Sequence, residues 1–391
     1  MVYRRRFSTA GKIAACIFAA AAAVGCSSTS TTVPTMAALP VQPAVLPPGA
    51  ASTSVTPQTV AVRPVAPMNA MAMPSVPRAV SGQTVISRPL AKATYSPAAA
   101  PAAAAPLAMS SQGHDLKVMT FNLRVATAFD LLNTWELRKG QVVERVRSFG
   151  PDLLGTQEGL NGMEDFLKKQ LSDYTFFGVG RDDGKHGGEM CGVFFKTSKF
   201  TKLDGGNFWL STNPEKPGSK AWGAWFPRMV TWVKLQPKDG GQAFVWFNTH
   251  FEVFSDRART ESAKLLLARA TTLATGLPCI VTGDFNANAG DTSRAYGTLT
   301  SKFNVTQFVD AFRAVYPVRS REEGTMHSFH GNKDGDRIDW ILATPTFQPV
   351  SCQIDRTRGF LGYPSDHFPV TATFRMSNGT GSPSMPVARI E

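Results

Sequence analysis

A short apolar run that leads directly into polar residues most restricts how this chain can fold. Cys279-Ile280-Val281 is followed by Thr282-Gly283-Asp284-Phe285-Asn286-Ala287. A bounded apolar run of this length is typical of a buried strand, and the residues after it lie at the carboxyl end of that strand. A carboxylate and an amide there can hold and orient a water molecule beside a bound metal ion. The segment therefore predicts a sheet whose interior strands end at a polar cleft.

Polar side chains follow other predicted strands in the same way. Because ligands of α/β sheets bind at strand ends and in the loops after them, we expect these side chains to share one site. They are Asn122, Glu158, His250, Asp284, Asn286, Asp339, Asp366 and His367. This set contains no cysteine or third histidine that would build a zinc cage, and its oxygen-rich ligands suit Mg²⁺ or Mn²⁺.

Strand patterns alternate with a few helical ones over residues 115–376. Helical spacing over 137–149 ends at Gly150-Pro151, and a long amphipathic pattern covers Asp256–Thr275. The other predicted elements are strands at 116–122, 152–158, 174–177, 279–283, 338–343 and 368–374, several strands within 189–249, and helices near 161–171 and 293–303. This order predicts one α/β domain, a four-layer sandwich of two packed mixed β-sheets flanked by helices.

The composition changes abruptly near residue 115. The first 114 residues contain no Asp or Glu and are rich in Ala, Pro, Ser and Thr, so we predict a disordered tether over 26–114. Eight of the 41 basic residues lie before residue 115, which leaves 33 basic against 29 acidic residues in 115–391. So small a surplus is weak support for a nucleic-acid partner. Residues 377–391 are predicted to be a flexible tail.

Residues 1–25 have the parts of a lipoprotein signal peptide. Arg4-Arg5-Arg6 precede an apolar run from Ile13 to Val24, which is too short for a comfortable membrane span. The run ends in Ala23-Val24-Gly25-Cys26, which resembles a bacterial lipobox with Cys26 as the lipidated residue. We therefore expect an exported protein of the bacterial cell envelope, lipid-anchored at the outer membrane or facing the periplasm. Ordinary signal-peptidase cleavage, with Cys26 incidental, is the alternative.

Three cysteines remain outside this segment, namely Cys191, Cys279 and Cys352. They are odd in number and have no metal-ligand spacing. Cys191 and Cys279 have apolar neighbours, which favours buried core residues; one disulfide among the three is the alternative. Nothing in the pattern indicates a catalytic thiol.

Six short motifs occur in the order found in the endonuclease/exonuclease/phosphatase superfamily, which this chain resembles. They span essentially all of 116–375 and are Thr120-Phe121-Asn122, Gln157-Glu158, Asn248-Thr249-His250, Gly283-Asp284-Phe285-Asn286, Arg337-Ile338-Asp339 and Ser365-Asp366-His367. Each motif is weak alone, but six in order are specific. Two further segments, Gly206–Ser211 and Phe226–Thr231, are most similar to exported bacterial members.

The resemblance implies a metal side and a water side of the site. Glu158 is expected to be the main metal ligand, with Asn122 beside it and Asp366 helping across the site. The ion would act as a Lewis acid on a phosphoryl group. Asp284 would take the proton of the attacking water, and Asn286 would position that water.

The resemblance also implies a phosphoryl side. His250 and His367 would donate hydrogen bonds to the nonbridging oxygens of the transition state. Asp339 would orient His367 and favour its protonated form, because an acceptor carboxylate raises the pKa of an imidazole. Relatives often continue after the Thr-His pair with Asp-His, whereas this chain has Phe251-Glu252-Val253. That departure concerns rim contacts and substrate preference rather than His250.

Four charged residues are candidate substrate contacts, namely Arg181, Glu189, Arg228 and Arg259. A solvated hairpin over 178–192 is the alternative for the first two, and structural pairing is the alternative for the last two. Trp222, Trp225 and Phe226 can stack on a nucleobase, touch lipid or belong to the core. The remaining histidines, His114, His186, His327 and His330, are interpreted as solvent or loop residues.

These observations predict an exported, lipid-anchored, Mg²⁺- or Mn²⁺-dependent hydrolase of phosphoester bonds that uses in-line water attack. Nucleic acid is the first expected substrate, so a nuclease is the first expectation. A phospholipid, phosphoinositide or sugar-phosphate phosphoesterase is the enzyme alternative. A catalytically inactive binding or toxin-like module is the second class of interpretation. We assume a monomer.

Overall fold

The computed structural model describes residues 115–376. The predicted signal peptide over 1–25, the lipidation site Cys26, the tether over 26–114 with His114, and the tail over 377–391 lie outside the described residues. Among the residues that are described, no helix is long and apolar enough to cross a membrane.

Within residues 115–376, twelve strands form two six-stranded sheets. The first sheet has the order β11-β12-β1-β2-β4-β3 and consists of β1 (Asp115–Asn122), β2 (Leu153–Gln157), β3 (Tyr174–Phe177), β4 (Val193–Lys196), β11 (Phe347–Ile354) and β12 (Val370–Met376). The second has the order β5-β6-β7-β8-β10-β9 and consists of β5 (Phe200–Trp209), β6 (Met229–Pro237), β7 (Phe244–His250), β8 (Cys279–Asp284), β9 (Val309–Asp310) and β10 (Asp339–Ala343). Both sheets are mixed, because β1 runs parallel to β2 and β7 runs parallel to β8 while their other neighbours are antiparallel.

Five helices cover the outer faces of the two sheets or their edges. They are α1 (Trp135–Phe149), α2 (Asn161–Gln170), α3 (Asp256–Leu273), α4 (Arg294–Thr300) and α5 (Ala311–Val315). A central apolar layer joins the inner faces, with Val118 and Leu153 from one sheet and Trp246 and Ile280 from the other. Separate apolar clusters lie between the first sheet and α1 and α2, and between the second sheet and α3 and α4. The predicted four-layer sandwich is therefore confirmed.

The elements that the sequence did not predict lie at the edges. They are β9, β11, α5 and a short 3₁₀ segment over Ala128–Asn133. Strand β11 contains Pro349, and its register with β12 shifts between Pro349 and Ser351; a proline and a bulge on an edge strand hide the alternating pattern. Helix α5 has five residues, which is too short to show a helical period.

The three cysteines of the folded part are buried and unpaired. Burial raises the pKa of the Cys191 thiol to about 12 and that of Cys279 to about 12 as well. At neutral pH these thiols carry no thiolate. The interpretation of Cys191 and Cys279 as core residues is confirmed, Cys352 is buried as well, and the structure contains no disulfide among the residues it describes.

Candidate active site

Strand register brings the predicted polar residues to one edge of the sandwich. His250, Asp284 and Asp339 are level with one another on the adjacent strands β7, β8 and β10. Gly283 allows this close approach, because a Cβ atom there would lie 2.3 Å from the Thr249 carbonyl oxygen. Phe285 stacks on Trp340 with a ring separation of 4.1 Å, which fixes the ends of β8 and β10 against each other.

The first sheet contributes its half of the site from β1, β2 and the segment before β12. Asn122 ends β1, Glu158 directly follows β2, and Asp366 and His367 precede β12. Glu158 has φ 61° and Asn286 has φ 46°, a left-handed conformation that costs non-glycine residues free energy. The surrounding structure therefore holds both residues in a costly backbone conformation, and this conformation places their side chains in the site.

Asn122 holds the acids of the two sheets together. Its Nδ2 donates to Glu158 Oε1 at 3.0 Å and to Asp284 Oδ2 at 2.9 Å, and its Oδ1 accepts from the Arg124 backbone N–H at 2.9 Å. The backbone donor fixes which end of the amide faces the carboxylates. The structure thus gives Asn122 the geometry of a bridge between carboxylates, whereas the resemblance implied a metal ligand.

Arg124 lies beside the acids, and the sequence interpretation did not include it. Its guanidinium donates to Asp130 at 3.1 and 2.9 Å and lies 3.6 Å from Asp366 Oδ2. Burial alone would raise the pKa of Glu158, but Arg124, the Asn122 amide and the Val125 N–H together lower it. Glu158 is therefore held as a carboxylate. Arg124 lies two residues after the first motif, and this position was the available signal in the sequence.

Asp284 is in the opposite electrostatic situation. Burial and then repulsion from Asp339 raise its pKa to about 7. The Asn286 backbone N–H donates to Asp284 Oδ1 at 2.9 Å, which fixes the orientation of the carboxylate. A carboxylate with a pKa near neutrality is suited to accept a proton from water, because it binds that proton without a large free-energy cost.

The two histidines of the site are held in different protonation states. His367 Nδ1 lies 2.9 Å from Asp339 Oδ2; burial opposes its charge, but Asp339 and Asp284 raise its pKa well above the usual value. Burial, and then the nearby Arg228 and Arg181, lower the pKa of His250 well below the usual value. His367 is therefore an imidazolium at neutral pH and His250 is a neutral imidazole.

The hydrogen bonds of Asn286 define the tautomer of His250. Asn286 Nδ2 donates to the Phe251 carbonyl at 3.0 Å and lies 3.0 Å from His250 Nε2. Since that amide nitrogen is a donor, His250 Nε2 accepts, and the ring proton is on Nδ1. Nδ1 faces Glu189, at 3.8 Å from Oε2.

A niche lies beside His250, and we call it the arginine niche. It is lined by Arg181, Glu189, Met190, Cys191, Arg228, Met229 and His250. Arg181 donates to both oxygens of Glu189, at 2.5 and 2.8 Å, and Arg228 Nε lies 3.6 Å from the buried Glu252. Three of the four predicted substrate contacts thus lie at the site.

The fourth predicted contact, Arg259, is used differently. Its guanidinium donates to the carbonyls of Glu252 and Val253 at 3.1 and 2.8 Å and lies 3.6 Å from Asp256. It belongs to α3 and holds the loop after β7, which agrees with the structural alternative.

Other rim and histidine predictions have mixed outcomes. Trp225 is 54% exposed and its ring lies 4.7 Å from that of Phe254, while Trp222 and Phe226 are half-buried. His186 and His330 are exposed as expected. His327 lies in a loop, as one of the two interpretations had it, but it is buried there: it stacks on Phe368 at 3.8 Å and accepts from the Gly331 N–H. Aromatic neighbours distant in sequence account for its burial.

A buried polar network joins the two sheets directly beneath the site. Gln157 Nε2 donates to Asn248 Oδ1 at 2.8 Å, and Asn248 Nδ2 donates to the Thr156 carbonyl at 2.8 Å. Thr282 Oγ1 donates to the same Asn248 oxygen at 3.0 Å. These side chains fix the spacing of the sheets, because buried polar groups are costly unless paired. The motif residues Gln157 and Asn248 therefore position the site from below.

Arg138 likewise positions residues near Glu158 and Asp366, and no local pattern in the sequence predicted this role. It lies on α1 and is 2% exposed. Its guanidinium donates to the carbonyls of Leu123, Arg124 and Pro364. The loops that carry Asn122 and Asp366 are thereby joined through one side chain.

The donor set fits a divalent cation. Glu158, His250 and Asp284 each offer a ligand atom, and these atoms lie within 4.8 Å of one another. Glu158, Asp284 and Asp366 bring three carboxyl groups into one buried region, where such a concentration of charge is costly without a cation. Oxygen donors of this kind suit a hard divalent ion.

Two packed mixed sheets with this set of acids, amides and histidines at their edge define a divalent-metal-dependent hydrolase of phosphoester bonds. The family model described as "Endonuclease/Exonuclease/phosphatase family" matches residues 119–367. The chain belongs to this family, as the sequence motifs predicted.

Solved structures of bacterial family members are similar over the whole folded part. The endonuclease/exonuclease/phosphatase from Bacteroides vulgatus is 34% identical with a TM-score of 0.62, and the match covers 68% of this chain and 100% of that one. A mannosyl-6-phosphatase from Bacteroides thetaiotaomicron is 34% identical with a TM-score of 0.60, covering 66% and 98%. The human Nocturnin catalytic domain, at 20% identity and a TM-score of 0.53 over 67% and 95%, shares the fold. A search of curated proteins finds no similar sequence.

Proposed function

We propose that this protein is a Mg²⁺- or Mn²⁺-dependent phosphatase whose substrate is a phosphorylated sugar. The observation that carries the proposal is the arginine niche beside His250, with the Arg181–Glu189 pair at its wall. A carboxylate–guanidinium pair that is partly exposed, as Arg181 and Glu189 are, can hydrogen-bond the hydroxyls of a sugar. The 34% identical relative named as a mannosyl-6-phosphatase supports this substrate class.

The proposed chemistry is in-line attack of water on the phosphorus atom, which breaks the bond from phosphorus to the sugar oxygen on the opposite side; the departing sugar oxygen takes a proton from solvent. Glu158 and Asp366 would hold the cation, with Asn122 keeping Glu158 beside Asp284. When bound, the cation supplies a Lewis acid for the phosphoryl group. Asp284 would accept the proton of the attacking water, and Asn286 would position that water.

Two histidine donors, His367 charged and His250 neutral, would stabilise the transition state on the other side of the phosphoryl group. His367, held as an imidazolium by Asp339, would donate to a nonbridging oxygen as negative charge develops. His250 would donate through Nδ1, because its Nε2 accepts from Asn286. No protein nucleophile is required, so the proposed reaction has no covalent intermediate.

A nuclease, which the sequence interpretation placed first, is the second candidate. The Trp225–Phe254 pair favours it, because an exposed aromatic surface near the rim suits base stacking. The surplus of four positive charges argues against it, since a groove that follows a phosphate backbone needs a stronger basic field.

A substrate panel tests the proposal. Hexose 6-phosphates, single-stranded DNA and single-stranded RNA are incubated with the protein in Mg²⁺, Mn²⁺ or EDTA, and inorganic phosphate and oligonucleotide cleavage are measured. We expect phosphate release from a hexose phosphate that EDTA abolishes. Asp284→Asn should be inactive, while Asp336→Asn, at an exposed aspartate that accepts from Asn288, should match the wild type. Cleavage of oligonucleotides without phosphate release from any sugar phosphate would establish the nuclease instead.

We also propose that the protein is exported and anchored to the cell envelope through a lipid on Cys26. The lipobox-like sequence Ala23-Val24-Gly25-Cys26 supports this. Cys26→Ala should move the protein from the membrane fraction to the soluble fraction and abolish labelling by a fatty-acid probe. Equal fractionation of both proteins would refute the anchor.

A further inference from the structure

A carboxyl group with no part in the proposed reaction is buried in helix α2. Glu164 lies in the first turn of that helix and is 1% exposed. The helix face around it is otherwise apolar, with Met163 and Leu167 buried beside it. Lys168, one turn further on, pairs with Asp165 instead, and burial raises the pKa of Glu164 to about 7. No ion pair therefore offsets the cost of burying this acid among the residues that the structure describes.

The contacts of Glu164 lie on both sides of Glu158 in the chain. Glu164 Oε1 accepts from Thr156 Oγ1 at 2.7 Å, and the Glu164 N–H donates to the Leu160 carbonyl at 3.0 Å. Gly159 packs directly on the carboxyl group, because a Cβ atom there would lie 2.1 Å from Glu164 Oε1. Thr156 precedes Glu158 by two positions, and Gly159 and Leu160 follow it. Glu164 thus holds both ends of the turn that carries Glu158.

That turn needs such support, because the backbone of Glu158 is left-handed, with φ 61°. A residue in this conformation keeps it only where the surrounding structure holds it. The Asn122 amide and the Val125 N–H fix the carboxylate of Glu158 from above, at 3.0 and 2.8 Å. From below, the Glu164 carboxyl group fills the space against Gly192, where a Cβ atom would lie 2.8 Å from Glu164 Oε1.

The choice of a carboxyl group at this position costs stability. Glu164 Oε2 is buried and has no hydrogen-bond partner within residues 115–376. An apolar side chain of similar length would remove this cost, since exchanging a buried polar group for a well-packed apolar one is often neutral or stabilising. Packing alone would therefore favour an apolar residue, as at Leu167, and the hydrogen bond to Thr156 is what the carboxyl group adds.

Resting on the proposed role of Glu158 as a cation ligand, we propose that Glu164 is a positioning residue that sets the affinity of the site for the divalent cation. Glu164 contacts neither the cation nor the substrate. It acts through Thr156 and Gly159, which fix the direction in which the Glu158 side chain leaves the backbone. A bound cation itself holds the Glu158 carboxylate, so Glu164 affects the affinity for the cation more than it affects turnover at saturation.

The test measures the Kd of Mg²⁺ by calorimetry for the full chain and two variants. Glu164→Met should weaken Mg²⁺ binding by about tenfold or more, the range found when groups that orient metal ligands are removed. Glu164→Gln keeps an acceptor for Thr156 and should stay within about threefold of the wild type. At saturating Mg²⁺ the kcat of Glu164→Met should also stay within about threefold, because the lost interaction acts on cation affinity.

Urea unfolding in EDTA separates positioning from support of the fold. Glu164→Met should unfold at the same urea concentration as the wild type or at a higher one, since the Thr156 hydroxyl still reaches the Gly192 carbonyl at 3.4 Å. Leu167→Ala is the matched control, because Leu167 is buried on the same helix. It should unfold at a lower urea concentration, as it leaves a cavity, and should keep the Mg²⁺ affinity of the wild type.

Unchanged Mg²⁺ affinity in folded Glu164→Met would overturn the inference. An equal loss of affinity in Leu167→Ala would overturn it too, because general destabilisation would then be the cause. Glu158→Gln distinguishes these results from a failure of the proposed function. If Glu158→Gln binds Mg²⁺ as tightly as the wild type, Glu158 is not a cation ligand, and its proposed role and that of Glu164 are both wrong. If Glu158→Gln weakens binding and Glu164→Met does not, only the role of Glu164 is rejected.

Discussion

Replacement of Asp339 by Asn removes one negative charge from beneath His367 and keeps the shape of the side chain. The two side chains are buried, and His367 Nδ1 lies 2.9 Å from Asp339 Oδ2. Opposite unit charges about 4 Å apart interact by about 4 kcal/mol at an effective dielectric constant of about 20. Since about 1.4 kcal/mol changes an equilibrium tenfold, losing this interaction should lower the pKa of His367 and reduce the fraction of imidazolium, although Asp284 and Asp366 still raise that pKa.

The catalytic consequence follows from the role of His367 as a charged donor. Asp339→Asn should lower kcat/KM at pH 7.5 by about 100-fold or more, the usual contribution of a positioned proton donor. The basic limb of the pH profile should also move to lower pH, because the pKa of His367 is no longer raised. The measurements are kcat/KM between pH 5 and 9 and ¹⁵N NMR of the His367 ring. Asp336→Asn is the matched control at an exposed aspartate.

The same pair makes a stability prediction with a defined sign. The pKa of His367 is higher in the folded protein than in the unfolded chain. Its contribution to stability is therefore fully present below the unfolded pKa and is lost as the pH rises through the folded pKa. Urea unfolding should show a larger cost of Asp339→Asn at pH 6 than at pH 9. An unchanged pH profile, with His367 still protonated at pH 7.5 in the variant, would refute this electrostatic argument.

Three further predictions concern the cation, the base and the polar network. Glu158→Gln should abolish the thermal stabilisation by Mg²⁺, which for the wild type should be about 2.7 kcal/mol at a concentration 100 times the Kd; melting curves in Mg²⁺ and EDTA check this. Because the pKa of Asp284 is raised to about 7, its contribution to stability in EDTA is present at low pH and should be lost as the pH rises through about 7. Urea titrations of wild type and Asp284→Asn in EDTA at pH 5.5 and 8.5 measure this contribution. An equal change in the free energy of unfolding between the two pH values in both proteins would contradict the prediction. Asn248→Leu should cost about 2–3 kcal/mol in urea unfolding, because it removes the acceptor that the buried Gln157 amide and the Thr282 hydroxyl share and leaves Gln157 Nε2 only its bonds to Thr120 and the Gly155 carbonyl; a cost below about 0.5 kcal/mol would contradict the role of the network.

Interior strands and long helices were predictable because their signals are local. Cys279-Ile280-Val281 is apolar throughout, as expected for a strand covered on both faces, and β8 indeed has every residue buried. The polar residues after such runs identified the edge where the site lies. The order of six motifs then identified the family, since it reflects the whole topology rather than one segment.

Features that depend on contacts distant in sequence were not predictable. The Nδ2 of Asn122 faces Asp284, which is 162 positions away, so the orientation of the amide follows from sheet packing. Arg138 reaches Pro364 across 226 positions, and nothing local distinguishes it from other helical arginines. The opposite protonation states of His250 and His367 likewise arise from neighbours that only the folded sheets bring together.

The single parallel strand pair in each sheet has a consequence for how the protein reaches its active state. The parallel pair of each sheet carries part of the polar residues of the site, and the two groups of residues meet only when both sheets have formed and packed. Contacts of such large sequence separation form slowly, because loop-closure entropy opposes them until late in folding. Glu158 and Asp366 belong to the first sheet, whereas Asp284 and His250 belong to the second, so a folding intermediate with one completed sheet would present only part of the ligand set. The gain of Mg²⁺ affinity during refolding should accordingly report the final docking step rather than the appearance of secondary structure.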